Sequence, residues 1–227
     1  MRVLAIDTAL EACSAAVLDT ERGTVVAHES LVMVRGHAEA LMPLLARVMD
    51  RAKLPFSDLD RIAVTTGPGS FTGLRVGIAA ARGIALAAGK PAVGLSTLAA
   101  YAAPFIADDD SLPVVSVIDA RHDHVYLQVF GPGGRTFVTP RIVSLREALR
   151  IAATGTPRVA GTAAKMLVDA WPEGALPPIA VEPRRAPDIG WVARLGAAAP
   201  DTNTPPKPLY LRAPDAQPQD AARLPRR

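Results

Sequence analysis

The chain has 227 residues, enough for one compact domain or two small lobes around a substantial core. Hydrophobic residues make up 49% of it and aromatics 4%, with a formal net charge of only +3, so the core is built of Ala, Val, Leu and Ile. There is no dense basic patch interleaved with aromatics of the kind that reads RNA directly. Cys13 is the only cysteine, which excludes an intramolecular disulfide and a Cys-based zinc site and fits a reducing compartment. The apolar part of "MRVLAIDTA" is too short for a signal peptide. The apolar run from Val76 to Leu98 is broken by Arg82, Lys90 and Pro91, and reads as a buried helix plus a strand, not a membrane span. A cytoplasmic protein is expected.

In chain order, "RVLAIDTA", "CSAAVLD" and "TVVAHESLVM" read as three strands joined by polar turns, a meander of hairpins. In "GHAEALMPLLARVMDRA", Leu41, Leu44, Leu45, Val48 and Met49 recur at spacings of three and four, which predicts an amphipathic helix. Pro43 falls in its first two turns, where a proline costs least. "RIAVTT" is a strand, followed by a glycine-rich turn, a helix over about 71–88, the strand "PAVGLS" and the helix "TLAAYAAPF". Three meandering strands followed by βα units is the order of the ribonuclease H-like fold, which underlies the actin, sugar kinase and Hsp70 (ASKHA) superfamily.

After "DDDSLP", the segments "VVSVIDAR", "HVYLQVF" and "TFVTPRIV" read as three more strands, with "GPGG" as a turn. Ser144 and Glu147 form a capping box ahead of "LREALRIAA". "RVAGTAAKMLVDA" is a strand, a turn and a helix. The order suggests an abbreviated copy of the first part, although no residue-level repeat supports it. The expected division is a ribonuclease H-like lobe over 1–107, a smaller lobe over 108–200, and a proline-rich tail over 201–227 that returns to the first lobe with a mobile end. The basic residues Arg223, Arg226 and Arg227 fit a solvated tail.

The turn "GPGSFTGLRVG", from Gly67 to Gly77, lies between a strand and a helix, where phosphate cradles are built. A Walker A loop needs Gly-Lys-Ser/Thr five residues after its first glycine, but Thr72 stands there and no lysine follows. The dinucleotide pattern needs glycine at that same place. An anion at the helix N-terminus stays open. The simpler reading is a tight turn around Pro68, with Ser70 capping the helix. Within the helix, Gly73, Gly77, Ala80, Ala81 and Ile84 follow at spacings of three or four. Glycines inside a helix cost about 1 kcal/mol each relative to alanine, which a chain tolerates where backbones approach closely. Leu74, Ile78 and Leu86 add apolar contact, and only Arg75 and Arg82 are charged, so the helix has more apolar surface than one sheet face needs. A subunit interface is expected here, with the helix around 37–52 beside it.

These segments, "LAIDTALEACSAAV", "GHAEALMPLL", "TTGPGSFTGLRVGIAAARGIALAAGKPAVGLSTLAA", "VIDARHDHVY" and "KPLYLR", resemble the bacterial TsaB (YeaZ) family of tRNA threonylcarbamoyladenosine biosynthesis. The resemblance implies a two-lobed ASKHA fold with a ribonuclease H-like mixed sheet in each lobe, and a non-catalytic role. It implies pairing with a TsaD-type catalytic subunit, joined by a TsaE-type ATPase, and homodimers when the chain is alone; tRNA is met only through the complex. It places the partner interface on His37, Leu41, Leu44, Leu45 and Val48 of one helix, and on Phe71, Leu74, Arg75, Gly77, Ile78, Ala81 and Arg82 of the next. In TsaD-like paralogues a His-x-x-x-His pair binds metal on the helix that here begins "TLAAYAA". Thr97 and Tyr101 occupy those places, and neither is a good ligand. No metal, cofactor, catalytic residue or membrane contact is therefore expected.

Asp7 and Thr8 lie where this superfamily often places a phosphate- or metal-facing acid; a strand-end Asp that hydrogen-bonds the next hairpin is the preferred reading. "DARHDHVY" puts His122 and His124 two apart, beside Asp119 and Asp123, and reads as a polar turn before a strand. Cys13 has no base paired with it in sequence, and "GPGSF" does not match the nucleophile elbow around Ser70. The rival reading is a standalone ASKHA-type ATP-dependent enzyme or peptidase working at the interlobe cleft.

Overall fold

The structure, a computed structural model, describes residues 1–202 and 204–212. The remainder of the proline-rich tail, expected to end mobile, lies outside the described residues. The first half of the chain forms β1 (Arg2–Asp7), β2 (Ala12–Asp19), β3 (Thr24–Val32), α1 (His37–Ala52), β4 (Arg61–Gly67), α2 (Phe71–Ala88), β5 (Ala92–Ser96) and α3 (Thr97–Asp108). The second half forms β6 (Val114–Asp119), β7 (His124–Phe130), β8 (Thr136–Ser144), α4 (Leu145–Ala152), β9 (Arg158–Ala160), α5 (Ala164–Asp169), β10 (Ala180–Glu182) and α6 (Ile189–Ala198).

The strands make two five-stranded sheets, β3-β2-β1-β4-β5 and β8-β7-β6-β9-β10. In each, the first three strands are antiparallel neighbours and the last two are added in parallel. The two halves therefore share one topology, which the sequence suggested by order alone. α2 links β4 to β5 as α5 links β9 to β10, as parallel neighbours require a crossover.

β1 is buried on both faces, which is why it reads as a nearly continuous apolar run. Leu4 and Ile6 point into a core shared with Leu41, Leu44 and Leu45 of α1 and Leu74 and Ile78 of α2. Val3 and Ala5 point the other way, onto Ile189, Val192 and Ala193 of α6. α6 thus lies on the first sheet, although chain order places residues 189–198 with the second lobe. Its counterpart α3 does the reverse. Ala102 packs with Val114 and Phe130, and Leu98 and Tyr101 pack with Ile118 and Ala160, all of the second sheet. The helix that follows each lobe's last strand crosses to the other lobe.

Two buried arginines hold these crossing helices at their C-terminal ends. Arg61, first in β4, donates from Nη1 to the Gly196 and Ala199 carbonyls (2.8 and 2.6 Å) and from Nη2 to Asp201 (2.5 Å). Arg158, first in β9, donates to the Asp109 and Leu112 carbonyls past the end of α3. A guanidinium at a helix C-terminus satisfies carbonyls the helix cannot and complements its dipole. The three-residue β10 has no signal in its proline-rich surroundings, as a short edge strand seldom does.

Candidate functional site

The glycine turn is occupied by the chain itself. The loop after β1 runs beneath the start of α2. The Ser70 amide donates to the Ala9 carbonyl (2.7 Å), Ser70 Oγ accepts from the Gly73 amide (3.3 Å), and the Leu74 amide reaches the Ser70 carbonyl (2.9 Å). The Thr8 hydroxyl donates to the Gly73 carbonyl at 2.7 Å. A Cβ at Gly73 would collide with the Thr8 carbonyl oxygen, and one at Gly77 with the Thr8 hydroxyl. Of the amides around this helix start, those of Ser70, Gly73 and Leu74 are taken by the chain itself. The small-residue stripe serves close approach, as expected, but the neighbour at Gly73 and Gly77 is the chain's own β1–β2 loop and not a second subunit.

Asp7 sits at the end of β1, fully buried. Its Oδ1 accepts from the Thr65 hydroxyl (2.5 Å) and the Ala9 amide (3.1 Å), so the strand-end bond to the next hairpin is present. Its Oδ2 is buried without a partner among the described residues. Burial raises the carboxyl above its ordinary range, opposed by the Thr65 hydroxyl, the Ala9 amide and the charge of His37. His37 opens α1 and bonds through Nε2 to the Leu10 carbonyl at 3.0 Å, tying that helix to the same loop.

On α3, the Tyr101 hydroxyl donates to the Arg184 carbonyl (2.9 Å), and Thr97 is buried. Neither side chain presents the imidazole a divalent metal takes from a His-x-x-x-His pair. Among the described residues no cluster of three or more His, Cys, Asp or Glu is placed to hold a metal ion. Burial pushes the Cys13 thiol up to about 11, with the Asp7 carboxylate adding to the rise, which disfavours the nucleophilic thiolate. Arg121, His122 and Asp123 all have positive φ and make the turn, and β7 begins at His124. The histidines therefore do not share a strand face.

The expected interface residues divide sharply. His37, Leu41, Leu44, Leu45 and Val48 are buried in the chain's own core, and so are Leu74, Gly77, Ile78 and Ala81. Phe71, Arg75 and Arg82 are exposed. The outward side of α2 continues from them through Ala79, Gly83 and Leu86, the last of which is 86% exposed. A Cβ at Gly83 would meet nothing within 4 Å. On α1, Met42 is 53% exposed. A partner can reach these outward residues, which helical periodicity groups together but does not rank. α2 has the length and hydropathy of a short membrane span, yet its other face forms the core of the first lobe.

The end of the described chain reaches this face. Tyr210 packs on Phe71 with ring centroids 5.3 Å apart, and its hydroxyl accepts from Arg75 Nε at 3.0 Å. The Arg75 guanidinium lies 3.7 Å above the Phe71 ring centroid. Sequence reasoning missed Tyr210 as part of the face, because 135 residues separate it from Arg75.

Two duplicated mixed sheets with crossing helices define a two-lobed protein of the ASKHA type. A polyphosphate/ATP-glucomannokinase from Arthrobacter has the same fold, at a TM-score of 0.53 and 13% identity over 87% of this chain and 98% of that one. YeaZ from Pseudomonas aeruginosa is much nearer, at a TM-score of 0.76 and 28% identity over 92% of this chain and 99% of that one. The family model for tRNA N6-adenosine threonylcarbamoyltransferase, TsaD, matches residues 24–180. The tRNA threonylcarbamoyladenosine biosynthesis protein TsaB of Escherichia coli is 41% identical over 126 residues, 56% of this chain and 53% of that protein. An uncharacterised protein of Mycobacterium tuberculosis is 36% identical over 219 residues, 95% of this chain and 94% of that one. The chain belongs to the TsaB (YeaZ) family.

Proposed function

We propose that this protein is a non-catalytic scaffold or activator subunit of the machinery that forms N6-threonylcarbamoyladenosine in tRNA next to the anticodon. It binds a TsaD-type catalytic subunit through the outward faces of α1 and α2 and biases that subunit's conformation toward the active one. A TsaE-type ATPase joins the pair, tRNA is met only through the complex, and the isolated chain pairs with itself. The setting is the cytoplasm. The observation that carries the reading is the outward side of α2, an apolar surface with an open glycine and a nearly fully exposed leucine, rimmed by two arginines. The names of the relatives supply the pathway.

Leu86→Asp tests it. The side chain is solvated, so the cost to stability should stay at about 1 kcal/mol, from lower helix propensity and a negative charge in the last turn. Association with the TsaD-type subunit, followed by sedimentation, should weaken by about tenfold or more, as loss of an interface anchor does. Unchanged association would overturn the assignment of this face. A modification assay omitting each component in turn should lose its product when this chain is left out. The second reading, a standalone ATP-dependent enzyme or peptidase, draws on the unpartnered Asp7 Oδ2 near the carboxyl ends of parallel strands. ATP turnover or peptide cleavage by the pure chain, abolished in Asp7→Asn, would favour it.

A further inference from the structure

Residues 204–212 are anchored at four places on three separate parts of the molecule. Pro206 is buried against Gly94 of β5, where an added Cβ would lie 3.1 Å from the proline ring. The Leu209 amide donates to the Thr66 carbonyl at 2.8 Å, and a Cβ at Gly67 would lie 2.9 Å from the Leu209 carbonyl oxygen. Tyr210 closes on Phe71 and Arg75 at the first turn of α2. Arg212 then donates from Nη1 to the Ala120 carbonyl at 3.1 Å, in the turn between β6 and β7 of the second lobe.

We infer that this segment is a clasp coupling the N-terminal end of α2 to the position of the second lobe. The reason is length. Two residue steps separate Tyr210 from Arg212, and two residues span at most about 7 Å when extended. The α2 anchor and the second-lobe anchor are therefore joined by a tether with little slack. If the second lobe moves away from the first at the β6–β7 turn, either the Arg212 bond or the Tyr210 stack must give. Conversely, a partner that grips Phe71 and Arg75 stiffens the tether and holds the lobe in place. Such coupling is reciprocal: whatever biases one end biases the other by the same free energy. Calling the α2 end a docking end rests on the function proposed above, whereas the mechanical coupling belongs to the isolated chain.

Hydrogen exchange on the full chain without the TsaD-type subunit, diluted until sedimentation shows a monomer, tests the clasp, so its outcome depends on neither that partner nor a second copy. Arg212→Ala removes the second-lobe anchor and should speed exchange of the Leu74 amide, at the far end of the tether, by about fivefold or more. Tyr210→Ala removes the α2 anchor and should speed the Ala120 and His124 amides, which close the β6–β7 turn, by a similar factor. Tyr210→Phe keeps the ring on Phe71 and should leave most of the protection intact. Both residues are exposed, so the fold survives each change. If faster exchange in each variant stays confined to its own anchor, the segment is a local strap and the inference fails.

Discussion

The two lobes share a strand order but not a surface. In the first, the helices on the outer face are 16 and 18 residues long, and in the second the corresponding helices have eight and six. The last two strands shrink from seven and five residues to three and three. A six-residue helix makes fewer than two turns, so α5 covers its sheet with Ala164 and Leu167 and has little side left to offer. α2 makes five turns, which buries one stripe and leaves a second one outward. Topology is thus common property of the two halves, while helix length decides which half keeps a long helix side turned outward. The same contrast holds at the strand ends. Asp7 closes β1 in full burial, and Asp119 closes β6 in solvent, where it accepts from the Arg121 amide at 2.7 Å.

Paired substitutions at matching places in the two lobes separate what they share from what they do not. The largest effect is expected at Gly161 and Gly67, which follow or end the fourth strand of each sheet, both with φ of +121°. An added methyl at Gly161 meets the Val117 carbonyl inside the sheet, and at Gly67 it meets Leu209 of the clasp. Gly161→Ala should cost about 3 kcal/mol or more, and Gly67→Ala less because the clasp can shift, as chemical denaturation of the two variants will show. Equal costs would mean that the clasp is as rigid as a strand.

Next come the two buried arginines. Arg61→Ala and Arg158→Ala each strand helix-end carbonyls, and each should lower stability by about 2–3 kcal/mol. A much smaller loss for one of them would mark its crossing helix as the weaker interlobe joint.

Asp7→Asn follows, with a sign set by burial. The folded-state carboxyl titrates above its unfolded value, so its contribution is fully favourable only below the unfolded pKa and is lost as pH rises through the folded one. The variant should therefore gain thermal stability relative to the parent as pH is raised from about 4 to about 8. A constant difference across that range would show that Oδ2 finds a partner in solution. The smallest effect is expected at Gly83, where added methyl meets only solvent. Gly83→Ala should stabilise the chain by about 0.5–1 kcal/mol in thermal melts, through helix propensity.

Much of the fold was legible because its signals are local. Ser70 and Ser144 cap their helices as their positions predicted, each accepting from the amide three residues on. The periodicity of α1 correctly grouped Leu41, Leu44, Leu45 and Val48 on one face. It did not reveal that this face turns inward, which is why residues expected at a partner interface lie in the core.

From the sequence alone came every strand but β10, the serine-capped helices α2 and α4, the failure of the glycine turn to match either nucleotide motif, and the resemblance to a family. Local hydrogen bonding and side-chain alternation act over a few residues, so they are written in neighbouring letters. Tertiary structure decided which side of α2 is outward, that its glycines admit the β1–β2 loop, that α3 and α6 exchange lobes, and that Tyr210 lands on Phe71. Each of these joins residues far apart in the chain. A helix apolar nearly all round can bury any of its sides, and only the competition between the sheet and the loop for close contact selects one.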